Sequence, residues 1–440
     1  MDGGEANRLM LLAQGMAALR GVLDSEAGRD FLSLLGLLAA PRPDPATVAD
    51  VCARLWEELA GTPEPLLEDA WRSHVVERIL ESEHPFALAA EKGDPSPALM
   101  EQGRRDLRTL RALFDLDAES LLRAVEATVP ETSGLWAPPS LPVRASDTSP
   151  RRAMAEKLAV TGDWDGLAGA LAEHYSRHGA GLFERHRAFR WESGGLRAVP
   201  RPDPVRLEGL ISYEKERGPL LRNTERLLAG LPSHHALLYG LPGTGKSSTV
   251  KAVLNEYASS GLKLVEFAKE DLEELPRLLE TLRGRGPRFI LFIDDLSFEE
   301  HEVDYKSLKA LLEGSIEEPP ENVRLYATSN RRNLIRERFS DREEGVAGGD
   351  DVHARDTMQE KLSLAARFGL RITFPSPDQK RYLKIVFGLV RERGLKVPEG
   401  ELKEKALLWD RWHAGRSGRT ARQFVDELEA EQAENTNRSF

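Results

Sequence analysis

The stretch Gly240-Leu241-Pro242-Gly243-Thr244-Gly245-Lys246-Ser247 constrains this chain more than any other. Its spacing, G-x-x-x-x-G-K-[ST], suits the wrapping of main-chain amides around a row of phosphates. Gly240, Gly243 and Gly245 permit the tight turn that aims N–H groups inward. Lys246 brings a point charge to the β- and γ-phosphates, and Ser247 brings a hydroxyl for Mg²⁺. The helix that follows offers its positive N-terminal end. Leu241, Pro242, Thr244 and Ser248 complete the candidate cradle. Ahead of the loop, residues 235–239 read as a short buried strand; behind it, Val250, Val253, Leu254 and Tyr257 fall at helical spacing. Strand, loop and helix in that order favour a triphosphate site over an ordinary glycine-rich turn.

A second segment supports the first. Phe289-Ile290-Leu291-Phe292-Ile293 is an apolar run that ends in Asp294-Asp295, 48 residues beyond Lys246. It predicts a central strand whose C-terminal edge presents carboxylates, where open α/β sheets take their ligands. Asp294 is the candidate Mg²⁺ ligand and Asp295 the candidate base or orienter of an attacking water. Residues 322–330 predict a third strand, with Asn330 at the same edge to hydrogen-bond the water or the γ-phosphate, although Ser-Asn pairs also simply end strands. Residues 360–368 predict a helix stopped by Gly369, followed by a strand over 370–374. Arg367 near its end is either a finger toward a neighbouring subunit's γ-phosphate or a favourable charge at a helix C-terminus. Arg422, with Arg419 as its competitor, opens a later helix from which it could touch the nucleotide.

Taken together, residues 205–430 resemble the AAA+ ATPases, with phosphate loop, acidic strand end, sensor Asn, finger and lid arginine in the usual order. Residues 293–298 and 366–370 are similar to the initiator and helicase-loader branch. The runs 240–248, 360–363 and 418–424 are similar to a bacterial family termed domain of unknown function 815, predicted AAA ATPases. The resemblance implies an α/β P-loop core that binds ATP with Mg²⁺, a C-terminal helical lid, and homo-oligomerisation that brings Arg367 in trans. Two residues depart from the usual pattern. Asp295 is one methylene shorter than the customary Glu, and Ser212, beside the adenine-pocket candidate Ile211, stands where Gly is common.

The chain has 440 residues, enough for two or three domains, with 40% hydrophobic and 30% charged residues. No apolar run approaches the ~20 residues of a membrane span. The acidic start, Met1 to Glu5, lacks the basic region of a secretory signal, and the single cysteine, Cys52, reads as a core residue. These features predict a cytoplasmic protein. No Cys/His cluster has zinc-ligand spacing. Residues 1–200 hold 22 basic and 31 acidic groups, and residues 201–440 hold 39 and 41. That balance does not support a nucleic-acid partner, although it leaves room for a local basic strip.

The organisation read from the chain is as follows. Residues 1–128 form a mostly α-helical N-terminal domain, with Leu9, Leu12, Met16, Leu19 and Leu23 on one apolar face. Residues 129–150 are a Pro-rich linker. Residues 151–204 are a helical or irregular connector, in which residues 185–191 interleave basic and aromatic side chains. That pattern fits a solvated helix face with two buried aromatics better than a single-strand-binding groove. Residues 205–375 are the α/β nucleotide domain. Within it, in the segment 331–358, five arginines over 331–342 precede an acidic, glycine-containing run, either a partner-contacting loop or a solvated insertion. Residues 376–440 are three lid helices with Trp409 and Trp412 in their core. The leading functional expectation is an ATPase that remodels or loads an unidentified protein or nucleoprotein partner. A nucleotide-dependent switch or scaffold with little hydrolysis is the alternative, and a kinase ranks last.

Overall fold

The computed structural model describes residues 1–93, 95–143, 149–297, 305–313, 318–330, 364–413 and 415–438. They fall into two compact units: Met1–Arg185 with Gly284–Pro287, and His186–Arg283 with Arg288–Phe440.

The first unit is built from α-helices whose starts are set by polar caps. Asp2, Ser25, Asp44, Asp69, Ser96, Asp117 and Ser149 each accept the backbone N–H three residues on, satisfying one of the free donors at a helix start. In the core Phe31 stacks on Trp71 with ring centroids 3.9 Å apart. Two buried carboxylates organise loop backbone. Asp106 accepts the N–H groups of Ala17, Ala18 and Leu19 at 2.7–3.0 Å. Glu91 accepts from Ala180 N, Gly286 N and the Arg285 guanidinium. Cys52 is buried, and desolvation pushes its thiol up to about 11. The first helix, Gly3–Gln14, buries Ala6, Leu9 and Ala13, so Leu12 falls outside that face and is 41% exposed.

The proline run does not behave as a free linker where it is described. Pro130–Thr132 forms a 3₁₀ turn, Trp56 Nε1 donates to Ala137 O, and Leu141 is buried with its N–H on Glu68 O at 2.8 Å. Proline removes a donor but keeps its carbonyl, so neighbouring donors can still pin such a segment. Residues 144–148 lie outside the described residues. Helices Pro150–Val160 and Ala168–His178 belong to this same unit, so the units divide at residue 186 rather than at the prolines.

The second unit holds one seven-stranded sheet in the order β2-β1-β4-β5-β6-β3-β7. Its strands are β1 (Ala188–Glu192), β2 (Gly195–Ala198), β3 (Ala236–Gly240), β4 (Leu262–Glu266), β5 (Arg288–Ile293), β6 (Val323–Ser329) and β7 (Leu370–Phe374). All neighbours pair in parallel except β1 with β2. The segment expected as a helix face is β1. Phe189 and Trp191 alternate inward while Arg190 points outward and pairs with Glu192 and Glu266, a two-residue period that a helix cannot satisfy. β5 is buried along nearly its whole length, as a central parallel strand should be.

After Pro375 and Pro377, helices Gln379–Glu392, Glu399–Trp412 and Gly418–Arg438 form the lid. Trp409 packs partly against the core and stacks on His413 at 3.9 Å. Trp412, expected in the core, is 75% exposed. The buried line of its helix runs through Leu402, Ala406 and Asp410, and position 412 lies off that line. No helix among the described residues is long and apolar enough to cross a membrane.

Candidate nucleotide site

The parallel register sets β3, β5 and β6 side by side, so the residues that leave their C-terminal ends meet. These are the loop 240–247, the pair Asp294-Asp295, and Asn330. A cavity of about 580 Å³ opens there. Its lining includes Pro242, Gly243, Thr244, Gly245, Lys246, Ser247, Ser248, Asp294, Asp295, Asn330, Ile211, Arg419 and Arg422. Gly240 and Leu241 contribute differently: their carbonyls accept the Lys246 ammonium at 2.8 and 3.0 Å.

Gly240, Gly243 and Gly245 all have positive φ, and at the first two a side chain would also collide. At Gly240 (φ +151°) a Cβ would meet Phe374 O at 2.1 Å. At Gly243 (φ +77°) it would meet Ser417 Oγ at 2.9 Å. Gly243 O also accepts the backbone N–H groups of Gly418 and Arg419 at 2.8 and 3.3 Å, which joins the loop to the first turn of the last lid helix. Ser417 and Thr420 hydroxyls hold that turn together.

Five polar side chains meet here, three in one hydrogen-bonded chain and two in a separate pair. Lys246 Nζ donates to Asn330 Oδ1 at 3.0 Å, and Asn330 Nδ2 donates to Asp295 Oδ1 at 2.7 Å. Ser247 Oγ donates to Asp294 Oδ1 at 2.6 Å. Burial holds the Lys246 ammonium below its usual range and the nearby Arg419 adds to this, while Asp295 and Asp294 oppose it. Both lid candidates, Arg419 and Arg422, line the cavity. Arg367 sits in a 3₁₀ turn, Ala365–Arg367, and is not among the lining residues. The helix expected over 360–368 is described only from residue 364, and the arginine-rich run 331–358 lies outside the described residues.

Ser212 and Tyr213 both have positive φ, 69° and 65°, and so does Asp295 at 53°. A left-handed conformation at non-glycine residues needs compensation from its surroundings. At Ser212 it accounts for the glycine preference noted from the sequence. Tyr213 is fixed by its hydroxyl on Pro375 O at 2.8 Å, by stacking on Phe374 at 5.4 Å, and by the Arg381 guanidinium 4.4 Å above its ring. At Asp295 the compensation comes from Thr328, whose Oγ1 accepts the Asp295 N–H at 2.9 Å and donates to Asp294 Oδ1. Thr328 was not singled out from the sequence, because a threonine inside a β-rich run is an ordinary strand residue. Arg217, 7% exposed and lining the cavity, was also missed. Its only signal was a charged residue in register with Leu220, Thr224 and Leu227 on the inward face of the helix Glu214–Leu228.

The donor set tests the fit of the implied metal. A serine hydroxyl and a carboxylate 2.6 Å apart are hard oxygen ligands at one point of the cavity, and Asp294 Oδ2 has no hydrogen-bond partner among the described residues. That chemistry suits Mg²⁺.

A largely parallel sheet, a phosphate-type loop at one strand end and paired acids on the next strand but one define a P-loop nucleotide-binding fold of the AAA+ type. A family model described as Protein of unknown function (DUF815) matches residues 184–432, and the chain belongs to that family. Among curated proteins it is similar to the 26S proteasome regulatory subunit 6B homolog of Schizosaccharomyces pombe. The two are 28% identical over 188 residues, which span 39% of this chain and 42% of that protein. The Proteasome-activating nucleotidase of Sulfurisphaera tokodaii is 31% identical over 121 residues, 24% of this chain and 31% of that one. The chain thus spans less than half the length of these curated relatives. Among solved structures, the Thermotoga maritima RuvB Holliday junction branch migration motor aligns with 17% identity and a TM-score of 0.36, covering 52% of this chain and 67% of that one.

Proposed function

We propose that this chain hydrolyses ATP to ADP and phosphate, and uses the cycle to remodel or load a protein partner. The observation that carries the reading is the linked set Lys246, Asn330 and Asp295, set beside Ser247 and Asp294 at one sheet edge. Ser247 and Asp294 would hold Mg²⁺, which when bound neutralises phosphate charge and polarises the phosphoryl oxygens. Lys246, now capping loop carbonyls, turns its ammonium to the incoming phosphate oxygens. Asn330 and Asp295 flank the water; Asp295 takes its proton as the new O–P bond forms and the β–γ bridging bond breaks. Arg367 does not line the cavity of its own chain, which supports its acting on a neighbouring copy in a homo-oligomer.

Phosphate release measured against protein concentration tests this reading. Turnover per protomer is expected to rise with concentration, and Arg367→Ala is expected to bind ATP yet lose that rise. Tight ATP binding without release at any concentration would instead support a nucleotide switch. One feature favours that second reading: Asp295 has a short side chain already engaged by Asn330.

A further inference from the structure

A guanidinium in the cavity wall has no counter-ion. Arg217 lies one turn into the helix Glu214–Leu228, its N–H bonded to Tyr213 O at 2.9 Å. The residue is 93% buried, being 7% exposed, and it lines the cavity together with Ile211, Tyr213, Ile385 and Leu389. Among the described residues its side chain makes no hydrogen bond, and no carboxylate lies within ion-pair distance. The two nearest acids along the helix are committed to lid cations, Glu214 to Lys384 at 3.3 Å and Glu216 to Arg381 at 3.0 Å. Desolvation accordingly holds Arg217 below its usual range, only partly opposed by those acids. None of its nitrogens is a fully buried donor without a partner, so the guanidinium opens onto the cavity, where a ligand can supply the acceptors that the protein does not. Arginine offers five N–H donors and no acceptor, so its complement is an electron-rich edge.

The position of the residue says which edge. Lys246, Arg419 and the loop amides already serve the phosphate end. Ile211, Tyr213, Ile385 and Leu389 form the apolar end, where a flat heterocycle is buried best. We infer that Arg217 reads the nucleoside, donating its N–H groups to acceptors on the base and sugar rather than to phosphate. This rests on the reading that the cavity binds a nucleoside triphosphate, and it adds the residue that makes the site prefer a nucleotide over a bare polyphosphate.

The test is equilibrium binding of ATP, and separately of inorganic tripolyphosphate, to the full chain and to Arg217→Met and Arg217→Lys. Methionine keeps the apolar stem and removes the donors. The expected result is about 10- to 100-fold weaker ATP binding for Arg217→Met, the size of one lost charged hydrogen bond, with tripolyphosphate affinity unchanged and Arg217→Lys in between. Loss of a cavity-facing cation with no partner in the chain should leave the ligand-free unfolding midpoint unchanged or raise it, whereas a merely structural arginine would lower it. Equal weakening for both ligands would make Arg217 a phosphate ligand and overturn the inference. Unchanged ATP binding would overturn it too, while the phosphate site stands on the wild-type affinity. A wild-type chain that binds tripolyphosphate but not ATP overturns the nucleoside reading itself, which is a distinct result.

Discussion

Lys246 Nζ and Asn330 Oδ1 lie 3.0 Å apart, so the loop ammonium and the Asn330 amide are one hydrogen-bonded unit across two neighbouring strands. The same amide's nitrogen holds Asp295, which makes the lysine and the candidate base respond to each other through a single side chain. A ligand that draws Lys246 away therefore frees half of Asn330 and changes what Asp295 feels.

Lys246→Ala removes a buried charge and three hydrogen bonds at once. ATP binding should weaken by about 10- to 100-fold or more, as calorimetric titration would show. Affinity within twofold of wild type would mean that the loop amides alone hold the phosphates.

Thr328 is expected to set metal use. Its hydroxyl links the Asp294 carboxylate to the Asp295 N–H, and the residue is 1% exposed. Thr328→Val keeps the shape but loses both hydrogen bonds. It should raise the Mg²⁺ concentration needed for half-maximal nucleotide affinity about tenfold, and Thr328→Ser should restore it. A Val variant with a wild-type Mg²⁺ titration would contradict this.

Asp295→Asn keeps the side-chain length and can still meet Asn330, so nucleotide affinity should hold within a few-fold. Turnover should fall by about 10²- to 10⁴-fold, the usual worth of a positioned base. Single-turnover hydrolysis at the wild-type rate would assign the base elsewhere.

Acid should destabilise both units. His84 is buried and His74 and His235 are half-buried, and desolvation pushes each from the ordinary 6.5 down to about 4. Between those values the unfolded chain takes up protons that the folded chain refuses, so stability is full above about pH 6.5 and declines as pH falls toward 4. Thermal melts should show the midpoint dropping across that window. His235→Asn, which retains an acceptor for the Leu325 N–H, should flatten the slope. An identical pH profile in that variant would remove His235 from the account.

The sequence disclosed what ligand geometry or full burial dictates. The loop 240–247 was legible because phosphate spacing fixes its glycines, and β5 because a central strand must be apolar throughout. Less was legible where a residue's role depends on a partner far along the chain. Thr328 acts only because β6 lies beside β5, and nothing in its own neighbours says so. Arg217 hides among Glu214, Lys215 and Glu216, where one more charge on a helix looks solvated. β1 kept a visible two-residue alternation, but the flanking helical periods masked it. The prolines of 129–143 suggested freedom because their missing donors are evident in the sequence, whereas the hydrogen bonds that Trp56 and Leu141 donate, to Ala137 O and Glu68 O, come from packing.

The stitch between Gly243 O and the amides of Gly418 and Arg419 is made only of peptide groups. Short of proline at 418 or 419, which lacks the N–H, side-chain replacement leaves both donors in place. Loop curvature and lid angle are consequently a single coordinate: swinging the terminal helix outward has to reshape the turn that cups the phosphates, and reshaping that turn has to tilt the helix. Selection can tune this hinge only by altering glycine flexibility or local strain, so drift at the surrounding surface should leave its mechanics intact.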